Sequence, residues 1–295
     1  MPNGISDALA KISAIPVTPF HPDGTIDEAS LQAVVARIVE AGLDLVVACG
    51  NTGEYSSLSP EEAELVTAAT IEAAGGATTL VGVGGDLATA TQQARRAIDR
   101  GAAGAMIHFP SDPYVSDAGL LRYYESLIDA IDGTVVLYVR GRGLPAVVLD
   151  RLVASEKVAA VKYAIPDVLA FAKFAERYGD DVTLLCGLAE MWAPFFWLAG
   201  ARGFTSGLVN IAPELSLAML AALRAGDFPA AMEVWRKVKP FEEMRARETN
   251  GLNVPVVKEA LALRGLLADG GVRPPIAPLS DEQRGELGRI VAGWE

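Results

Sequence analysis

Residues 45–74 read LVVACGNTGEYSSLSPEEAELVTAATIEAA, which is one strand pattern followed by one helix pattern. The apolar run Leu45–Gly50 predicts a buried strand, and the stretch from Ser59 onwards predicts an amphipathic helix. Ser59 stands directly before Pro60 and three residues before Glu62, which is the signature of a helix N-terminus with a capping box. A strand followed by a helix is the unit from which α/β proteins are built.

The same unit recurs along the chain up to about residue 225. The predicted strands are Ile12–Thr18, Leu45–Gly50, Thr79–Gly84, Gly104–Phe109, Val135–Val139, Val158–Tyr163, Thr183–Gly187 and Gly203–Ser206. Each is a nearly continuous apolar run, which is typical of parallel strands buried on both faces. Eight such units predict an α/β fold of the (β/α)8 TIM barrel type, with a doubly wound open sheet as the alternative.

The pattern changes after residue 225, where the strands stop. Three further helical patterns follow, and a proline-rich segment, VRPPIAPLS at 272–280, precedes the last of them. We therefore expect residues 1–225 to form the barrel with the active site. Residues 226–295 are expected to form a C-terminal helical extension packed on that barrel.

Composition excludes several classes of protein. The chain has 295 residues, 51% of them hydrophobic and 21% charged, with a formal net charge of −12. That hydrophobic content disfavours disorder, and the acidic balance without a basic stripe disfavours a nucleic-acid partner. No apolar run reaches the ~18 residues of a membrane span, and the N-terminus does not resemble a signal peptide. We expect a cytoplasmic protein with no membrane contact.

Metal and cofactor motifs are also missing. Two cysteines, Cys49 and Cys186, cannot build a disulfide framework, and with His21 and His108 they form no zinc-binding spacing. GVGGD at 82–86 lacks the third glycine of a dinucleotide fingerprint, and there is no phosphate-binding loop motif. We therefore expect neither a metal nor an organic cofactor.

Two residues at neighbouring predicted strand ends point to chemistry. Lys162 lies inside the apolar pattern AAVKYA, where burial would lower the pKa of its amine and allow it to attack a ketone. The alternative is a strand-end lysine that reaches solvent or pairs with a carboxylate. Tyr138 ends the apolar run TVVLYV and would move protons beside such a lysine, although a tyrosine in a strand is also a common core residue.

The loop GNTGE at 50–54 follows the second predicted strand. Its two glycines allow a tight turn, and Asn51, Thr52 and Gly53 would present amides and a hydroxyl to an anion such as a carboxylate. Loops after barrel strands often contain Gly, Asn and Thr for conformational reasons alone, so the spacing by itself is weak. Ser206 and the loop to Asn210 follow the eighth strand at the same end of the barrel.

Together, GNTGE at 50–54, LY at 137–138, VK at 161–162 and FTSGLVNIAPE at 204–214 resemble the dihydrodipicolinate synthase/N-acetylneuraminate lyase family. The resemblance runs in order from about residue 12 to 279. It implies a class I Schiff-base lyase on a (β/α)8 barrel, acting without a cofactor on a pyruvate-like 2-oxo acid. It also implies a homodimer or a homotetramer.

The resemblance assigns a role to each matching residue. Lys162 matches the lysine that forms the imine, and Tyr138 matches the tyrosine that relays protons to it. The loop 50–54 matches the segment that holds the substrate carboxylate, with Asn51 where the synthases usually have threonine. Ser206 and Asn210 match the segment after the eighth strand that lines the pocket.

Within that family, the SGLVNIAPEL run and the VRPPIAPLS tail look closest to 5-dehydro-4-deoxyglucarate dehydratases. Arg140 would then bind the distal carboxylate of a diacid. The alternatives are a dihydrodipicolinate synthase, another pyruvate-dependent aldolase, or a catalytically degenerate sensor that binds a keto acid. The synthases carry a Pro-Tyr-Tyr loop after the fourth strand, whereas this chain has a single, displaced tyrosine, Tyr114.

Overall fold

The computed structural model describes residues 3–110, 112 and 114–294, and its strands form a closed barrel. The strands are β1 Ile12–Ala14, β2 Leu45–Ala48, β3 Thr78–Val83, β4 Gly104–Ile107, β5 Thr134–Arg140, β6 Val158–Ala164, β7 Thr183–Cys186 and β8 Gly203–Ser206. Each strand pairs in parallel with the next along the chain, and β8 pairs back to β1. The predicted (β/α)8 barrel is confirmed.

Helices precede, separate and follow these strands. Helix α1 (Asn3–Leu9) precedes β1. The helices between strands are α2 Glu28–Glu40, α3 Pro60–Ala74, α4 Leu87–Asp99, α5 Asp117–Ala130, α6 Ala146–Val153, α7 Val168–Tyr178 and α8 Ala189–Leu198. After β8 come α9 Pro213–Ala225, α10 Phe228–Asn250, α11 Asn253–Leu263 and α12 Asp281–Ala292, and the backbone leaves helical geometry at residues 247–249 near the end of α10.

The N-terminus of α3 shows how the local sequence sets an element boundary. The Ser59 side chain accepts a hydrogen bond from the Glu62 amide at 3.2 Å, and the Glu62 carboxylate accepts one from the Ser59 amide at 2.9 Å. Pro60 occupies the first helical turn, where its missing N–H costs nothing. The predicted capping box is therefore confirmed.

Strand β1 is shorter than the sequence predicts, because it ends at Ala14 and not at Thr18. Pro16 has no N–H to donate to a neighbouring strand. The side chain of Asn210 takes over instead: its Oδ1 accepts from the Val17 amide at 3.1 Å, and its Nδ2 donates to the Ile15 carbonyl at 2.9 Å. The segment after β1 is thus tied to the loop after β8 by one side chain.

Apolar side chains form one layer inside the ring of strands and a second layer outside it. The inner layer fills the barrel, and it contains Ile15, Leu45, Val47, Leu80, Met106, Val136, Tyr138, Ala160 and Leu185. Ile5, Ala8 and Leu9 belong to the same layer, so α1 closes the N-terminal end of the barrel. The larger outer layer lies between the strands and the helices. Because the N-terminal end is closed, a site is expected at the C-terminal ends of the strands.

The helices that follow β8 extend to this C-terminal end. Helix α10 packs against α8 and α9, and α11 packs against α10 and against the short turns that follow β2 and β8. Within the described residues, no helix is long and apolar enough to cross a membrane.

Candidate active site

Lys162 and Tyr138 are direct partners in the register of β5 and β6. Tyr138 belongs to the inner layer, and Lys162 lies two residues after the inward-facing Ala160, so both side chains point into the barrel. Lys162 is 5% exposed and Tyr138 is 6% exposed. The Lys162 Nζ lies 4.1 Å from the centre of the Tyr138 ring. The two residues singled out from the sequence therefore come together at the C-terminal end of the barrel.

The surroundings of Lys162 favour an uncharged amine. Burial, and to a lesser extent the positive charge of Arg140, lower the pKa of Lys162 to about 7. No carboxylate contributes to this pKa, and no salt bridge to Lys162 occurs in the part of the chain that the structure describes. Neither a solvent-exposed nor an ion-paired lysine fits these observations. At neutral pH a large share of the amine is unprotonated and nucleophilic.

Gly187, directly after β7, leaves room for the lysine side chain. A Cβ at this position would lie 3.0 Å from Lys162 Cγ and 2.8 Å from Ala164 Cβ. The Gly187 amide donates to the Tyr163 carbonyl at 2.7 Å, so its backbone is held close to β6. A larger residue would push the lysine out of its place.

The loop after β2 contacts Tyr138 through Asn51. Residues Asn51–Gly53 form a short 3₁₀ turn, and the side-chain Nδ2 of Asn51 donates to the Tyr138 hydroxyl oxygen at 3.2 Å. Burial raises the pKa of Tyr138, while Arg140 and this hydrogen bond lower it in part. The phenol is therefore protonated at neutral pH. Because its oxygen accepts from Asn51, its own proton is free to be donated elsewhere.

The other two loop residues are held tightly. Thr52 is buried, and the Gly53 carbonyl accepts a hydrogen bond from the Thr18 hydroxyl at 2.7 Å. A Cβ on Gly53 would lie 2.9 Å from the Pro16 carbonyl oxygen, so only glycine fits without displacement. The first amides of such a turn have no acceptor within the turn itself. The Gly53 amide donates to the Gly50 carbonyl at 3.0 Å, so within this turn only the Asn51 and Thr52 amides remain for an anion.

A buried ion pair that the sequence analysis missed anchors the end of this loop. Glu54 has a left-handed backbone (φ 56°), and its Oε1 accepts from Lys258 Nζ at 2.6 Å, with both side chains at most 1% exposed. Its Oε2 accepts from the Arg273 amide at 3.0 Å. The only signal in the sequence was a lysine inside the apolar helix VPVVKEALAL. The carboxylate-binding candidate loop is therefore held by α11 and the segment after it.

Arg140 ends β5 and is exposed at the mouth of the barrel. Its guanidinium carbon lies 5.9 Å from the centre of the Tyr138 ring. Its charge lowers the pKa of Lys162, Tyr138 and His108, which shows that these four groups share one electrostatic environment. Arg140 is thus the exposed cation of the site.

Ser206 does not join this cluster. Phe204, two residues earlier in β8, belongs to the outer layer, and Ser206 faces the same way. Its hydroxyl donates to the buried carboxyl of Glu190 at 2.6 Å and lies 3.3 Å from the Ser216 hydroxyl. The predicted pocket-lining role for its side chain is not supported, because Ser206 connects β8 to α8 and α9 behind the barrel wall.

Asn210 likewise uses its side chain elsewhere. Besides its bonds to Val17 and Ile15, its Nδ2 donates to the Gly207 carbonyl at 2.8 Å, and the residue is fully buried. The side-chain oxygen and nitrogen of Asn210 thus both bond to backbone groups. The expectation that Asn210 touches substrate gives way to a structural role in joining the ends of β1 and β8.

His108 is a neighbour of Tyr138 to which the sequence analysis gave no role. It follows β4 directly, two residues after the inward-facing Met106, and its ring lies 5.9 Å from that of Tyr138 at an interplanar angle of 61°. The alternation of inward and outward residues could have placed it there. Among the described residues, no group of three or more His, Cys, Asp or Glu side chains is arranged to hold a metal ion.

The fold and the site define the chain as a TIM barrel with a buried, low-pKa lysine at the C-terminal end of its strands. The sequence profile described as "Dihydrodipicolinate synthetase family" matches residues 8–293. The chain belongs to this family, which confirms the predicted family and, with it, the prediction of a lyase.

Individual relatives agree with that assignment. A probable 5-dehydro-4-deoxyglucarate dehydratase of Bacillus subtilis (strain 168) is 29% identical over 293 residues, covering 97% of this chain and 94% of that protein. The crystal structure of dihydrodipicolinate synthase from Oceanobacillus iheyensis superposes with a TM-score of 0.94 at 39% identity, covering 98% of each chain. A prophage protein of the dihydrodipicolinic acid synthase family from E. coli K12, solved in complex with pyruvate, has a TM-score of 0.87 at 27% identity, covering 95% of this chain and 97% of that one.

The buried ion pair gives a stability prediction. Lys258→Met leaves the Glu54 carboxylate buried without its cation, so the free energy of unfolding should fall by roughly 3–5 kcal/mol in denaturant titrations. The double variant Glu54→Gln, Lys258→Met removes both charges and should lose less. Lys173→Met, at an exposed position on α7, is the control and should change little. A loss below about 1 kcal/mol for Lys258→Met would show that the pair does not hold the loop.

Proposed function

We propose that this chain is a Schiff-base lyase of a 2-oxo acid and that Lys162 is its nucleophile. The observation that carries the proposal is the buried amine, which has a pKa of about 7 and no carboxylate partner within the described residues. Its neutral form attacks the C2 carbonyl to give a carbinolamine. Loss of water then gives a protonated imine, which accepts the electron pair when a bond on the neighbouring carbon breaks.

Tyr138 is proposed as the group that moves protons during these steps. The carbinolamine hydroxyl must be protonated to leave as water, and Tyr138 lies beside Lys162 with a protonated phenol. Asn51 donates to the phenol oxygen at 3.2 Å and so stabilises the phenolate that forms when the proton is given up. The proton returns from the substrate carbon or from water in the reverse step.

The turn Asn51–Gly53 is proposed to hold the carboxylate next to the reacting ketone. This turn contacts Tyr138 through Asn51, and its first amides have no acceptor within the turn. Hydrogen bonds from these amides to a carboxylate would fix C2 near the lysine amine. Glu54, held by Lys258, keeps the turn in place.

As substrate we propose a diacid of the 5-dehydro-4-deoxyglucarate type. The relative from Bacillus subtilis carries the name of that dehydratase, and Arg140 stands exposed at the mouth, where a distal carboxylate would reach it. Synthesis of dihydrodipicolinate, the activity in the name of the neighbour from Oceanobacillus iheyensis, is the second candidate, and pyruvate is bound in the structure of the E. coli K12 neighbour. Incubation with each substrate and analysis of the products by mass spectrometry distinguishes the two.

We further propose that the chain works in the cytoplasm as a homodimer or a homotetramer. Both statements rest on the family resemblance. Tyr114 is 93% exposed and so is available for a contact between subunits. Analytical ultracentrifugation tests the assembly.

Borohydride trapping tests the nucleophile. With pyruvate and sodium borohydride, the protein should gain a reduced adduct at Lys162, and Lys162→Ala should gain none, whereas Lys173→Ala should behave as wild type. Because only the neutral amine attacks, the trapping rate should rise with pH through about 7 and then level off. An adduct at another lysine, or a rate still rising at pH 10, would contradict the assignment. An adduct without turnover of any keto acid would indicate a sensor.

Replacement of the phenol tests the proton-transfer step. Tyr138→Phe removes the hydroxyl and keeps the ring, so kcat should fall by a factor of about 10²–10⁴ while KM changes little. Tyr178→Phe is the matched control, because that hydroxyl bonds to Asp150 on α6 and lies outside the site. Steady-state kinetics with equal kcat for Tyr138→Phe and wild type would remove the proposed role.

Arg140→Ala tests binding of the distal carboxylate. Loss of a charge-assisted hydrogen bond should weaken the apparent affinity for a diacid by roughly 10- to 100-fold and that for pyruvate much less. Since Arg140 lowers the pKa of Lys162, the midpoint of the pH profile should also move upwards. Arg142→Ala, at the neighbouring exposed arginine, should do neither. Equal losses for both substrates would argue against contact between Arg140 and the distal carboxylate.

A further inference from the structure

His108 lies at the same level of the barrel as the reacting groups. Ile107 on β4 pairs with Val83 on β3 and with Leu137 on β5. The next residues along β4 and β5 are His108 and Tyr138, so these two lie at the same level. Tyr138 in turn is the partner of Lys162. Three adjacent strands therefore contribute, in order, an imidazole, a phenol and an amine to one inward-facing row.

The barrel wall is shaped to admit the imidazole. A Cβ on Gly82 would lie 2.6 Å from His108 Nε2, and one on Gly84 would lie 3.0 Å from His108 Cβ. Any larger residue at these two positions of the β3 segment would displace the ring. The imidazole also stacks on Tyr55, with the ring centres 4.5 Å apart and the planes 16° from parallel. The ring is thus fixed on one side by glycines and on another by an aromatic surface.

The hydrogen bond of Nε2 determines which nitrogen carries the proton. Nε2 lies 2.9 Å from the Cys49 carbonyl oxygen, and a carbonyl only accepts, so Nε2 is the donor. Burial is the main cause that lowers the pKa of His108 to about 4; positive charge at Lys162 and Arg140 acts in the same direction and the hydrogen bond to Cys49 opposes it, so the ring is neutral at physiological pH. Nδ1 therefore carries a lone pair. In the part of the chain that the structure describes, no protein group donates a hydrogen bond to Nδ1. Nδ1 is also not one of the fully buried side-chain atoms that lack a hydrogen-bond partner.

We propose that His108 contacts the substrate and that its Nδ1 accepts a hydrogen bond from a hydroxyl on the substrate's carbon chain. The inference rests on the proposed function, since it requires the substrate to be attached at Lys162. A carboxylate at this point would meet a lone pair and be repelled, and a methyl group would leave the nitrogen unpaired. The row thus favours a hydroxylated 2-oxo acid over pyruvate or an unsubstituted diacid, while Arg140 takes the distal charge.

The spacing of the three strands fits this arrangement. Two strand spacings, about 10 Å, separate the backbones of His108 and Lys162. Both side chains extend from the wall towards the barrel axis, and the Tyr138 ring lies between them. A substrate bound through C2 therefore runs along the Tyr138 ring towards the imidazole.

Selective loss of affinity tests the inference. The probes are 5-dehydro-4-deoxyglucarate, which carries hydroxyls, and 2-oxoglutarate, a diacid without them. Apparent dissociation constants are measured for each by borohydride trapping at Lys162. In wild type and His108→Gln, whose amide supplies both a donor and an acceptor, the preference for the hydroxylated acid should be similar. In His108→Phe, which keeps the aromatic stack, that preference should fall about tenfold.

Controls separate this inference from its alternatives. His21→Phe, at the exposed histidine, should leave the preference unchanged, and His108→Leu replaces His108→Phe should the latter not fold. Equal weakening of both acids in His108→Phe would show that the residue only packs, and an unchanged preference would show that it does not touch the hydroxyl. Either result overturns this inference alone. Absence of trapping in the wild-type protein would overturn the proposed function as well.

Discussion

Desolvation of the Lys162 amine governs the arrangement of every group around it. Taking an ammonium out of water is unfavourable, and without a carboxylate nearby the group responds by losing its proton. A pKa of about 7 in place of 10.5 raises the neutral fraction at pH 7 by about three orders of magnitude. The closed barrel provides this environment because its strands form a wall without edges. Gly187 then leaves just enough space for the lysine side chain inside that wall.

The candidate site also depends on parts of the chain that are far away in sequence. Glu54 and Lys258 are 204 residues apart, and their ion pair connects the loop after β2 to α11. The backbone amide of Arg273 donates a hydrogen bond to the same carboxylate. The guanidinium carbon of Arg273 lies 4.2 Å from the centre of the Phe20 ring. The helices after β8 therefore support the turn beside Tyr138.

The sequence predicted the barrel because parallel strands buried on both faces have a distinctive apolar pattern, and a strand appears at each of the eight apolar runs, although β1 ends four residues early. It predicted Lys162 and Tyr138 as neighbours because a polar residue inside such a run stands out. It was wrong about Ser206, since nearness to a strand end does not say which way a side chain points. The outward-facing Phe204 decides that question, and its direction follows from packing with the helices. Lys258 could not be assigned because its partner lies across the fold.

Lys162 differs from other buried charged groups of the chain because those groups have partners of opposite charge. Glu54 is paired with Lys258, and Glu242 is paired with Arg245 at 2.6 Å, so each of these charges is compensated.

The hydroxyls of Ser206 and Ser216 both donate to one carboxyl oxygen of Glu190, and within the described residues the other oxygen has no hydrogen-bond partner. Burial, with the nearby charge of Glu242, raises the pKa of Glu190 to about 7, so this group too can become neutral. It lies behind β8, with Ser206 bonded to it from the barrel wall. A carboxylate placed inside the barrel instead would pair with Lys162 and raise the pKa of the amine. The low pKa of Lys162 thus depends on where the fold puts these acidic side chains: on the outer side of the wall or in ion pairs, and away from the lysine that faces the barrel axis beside Tyr138.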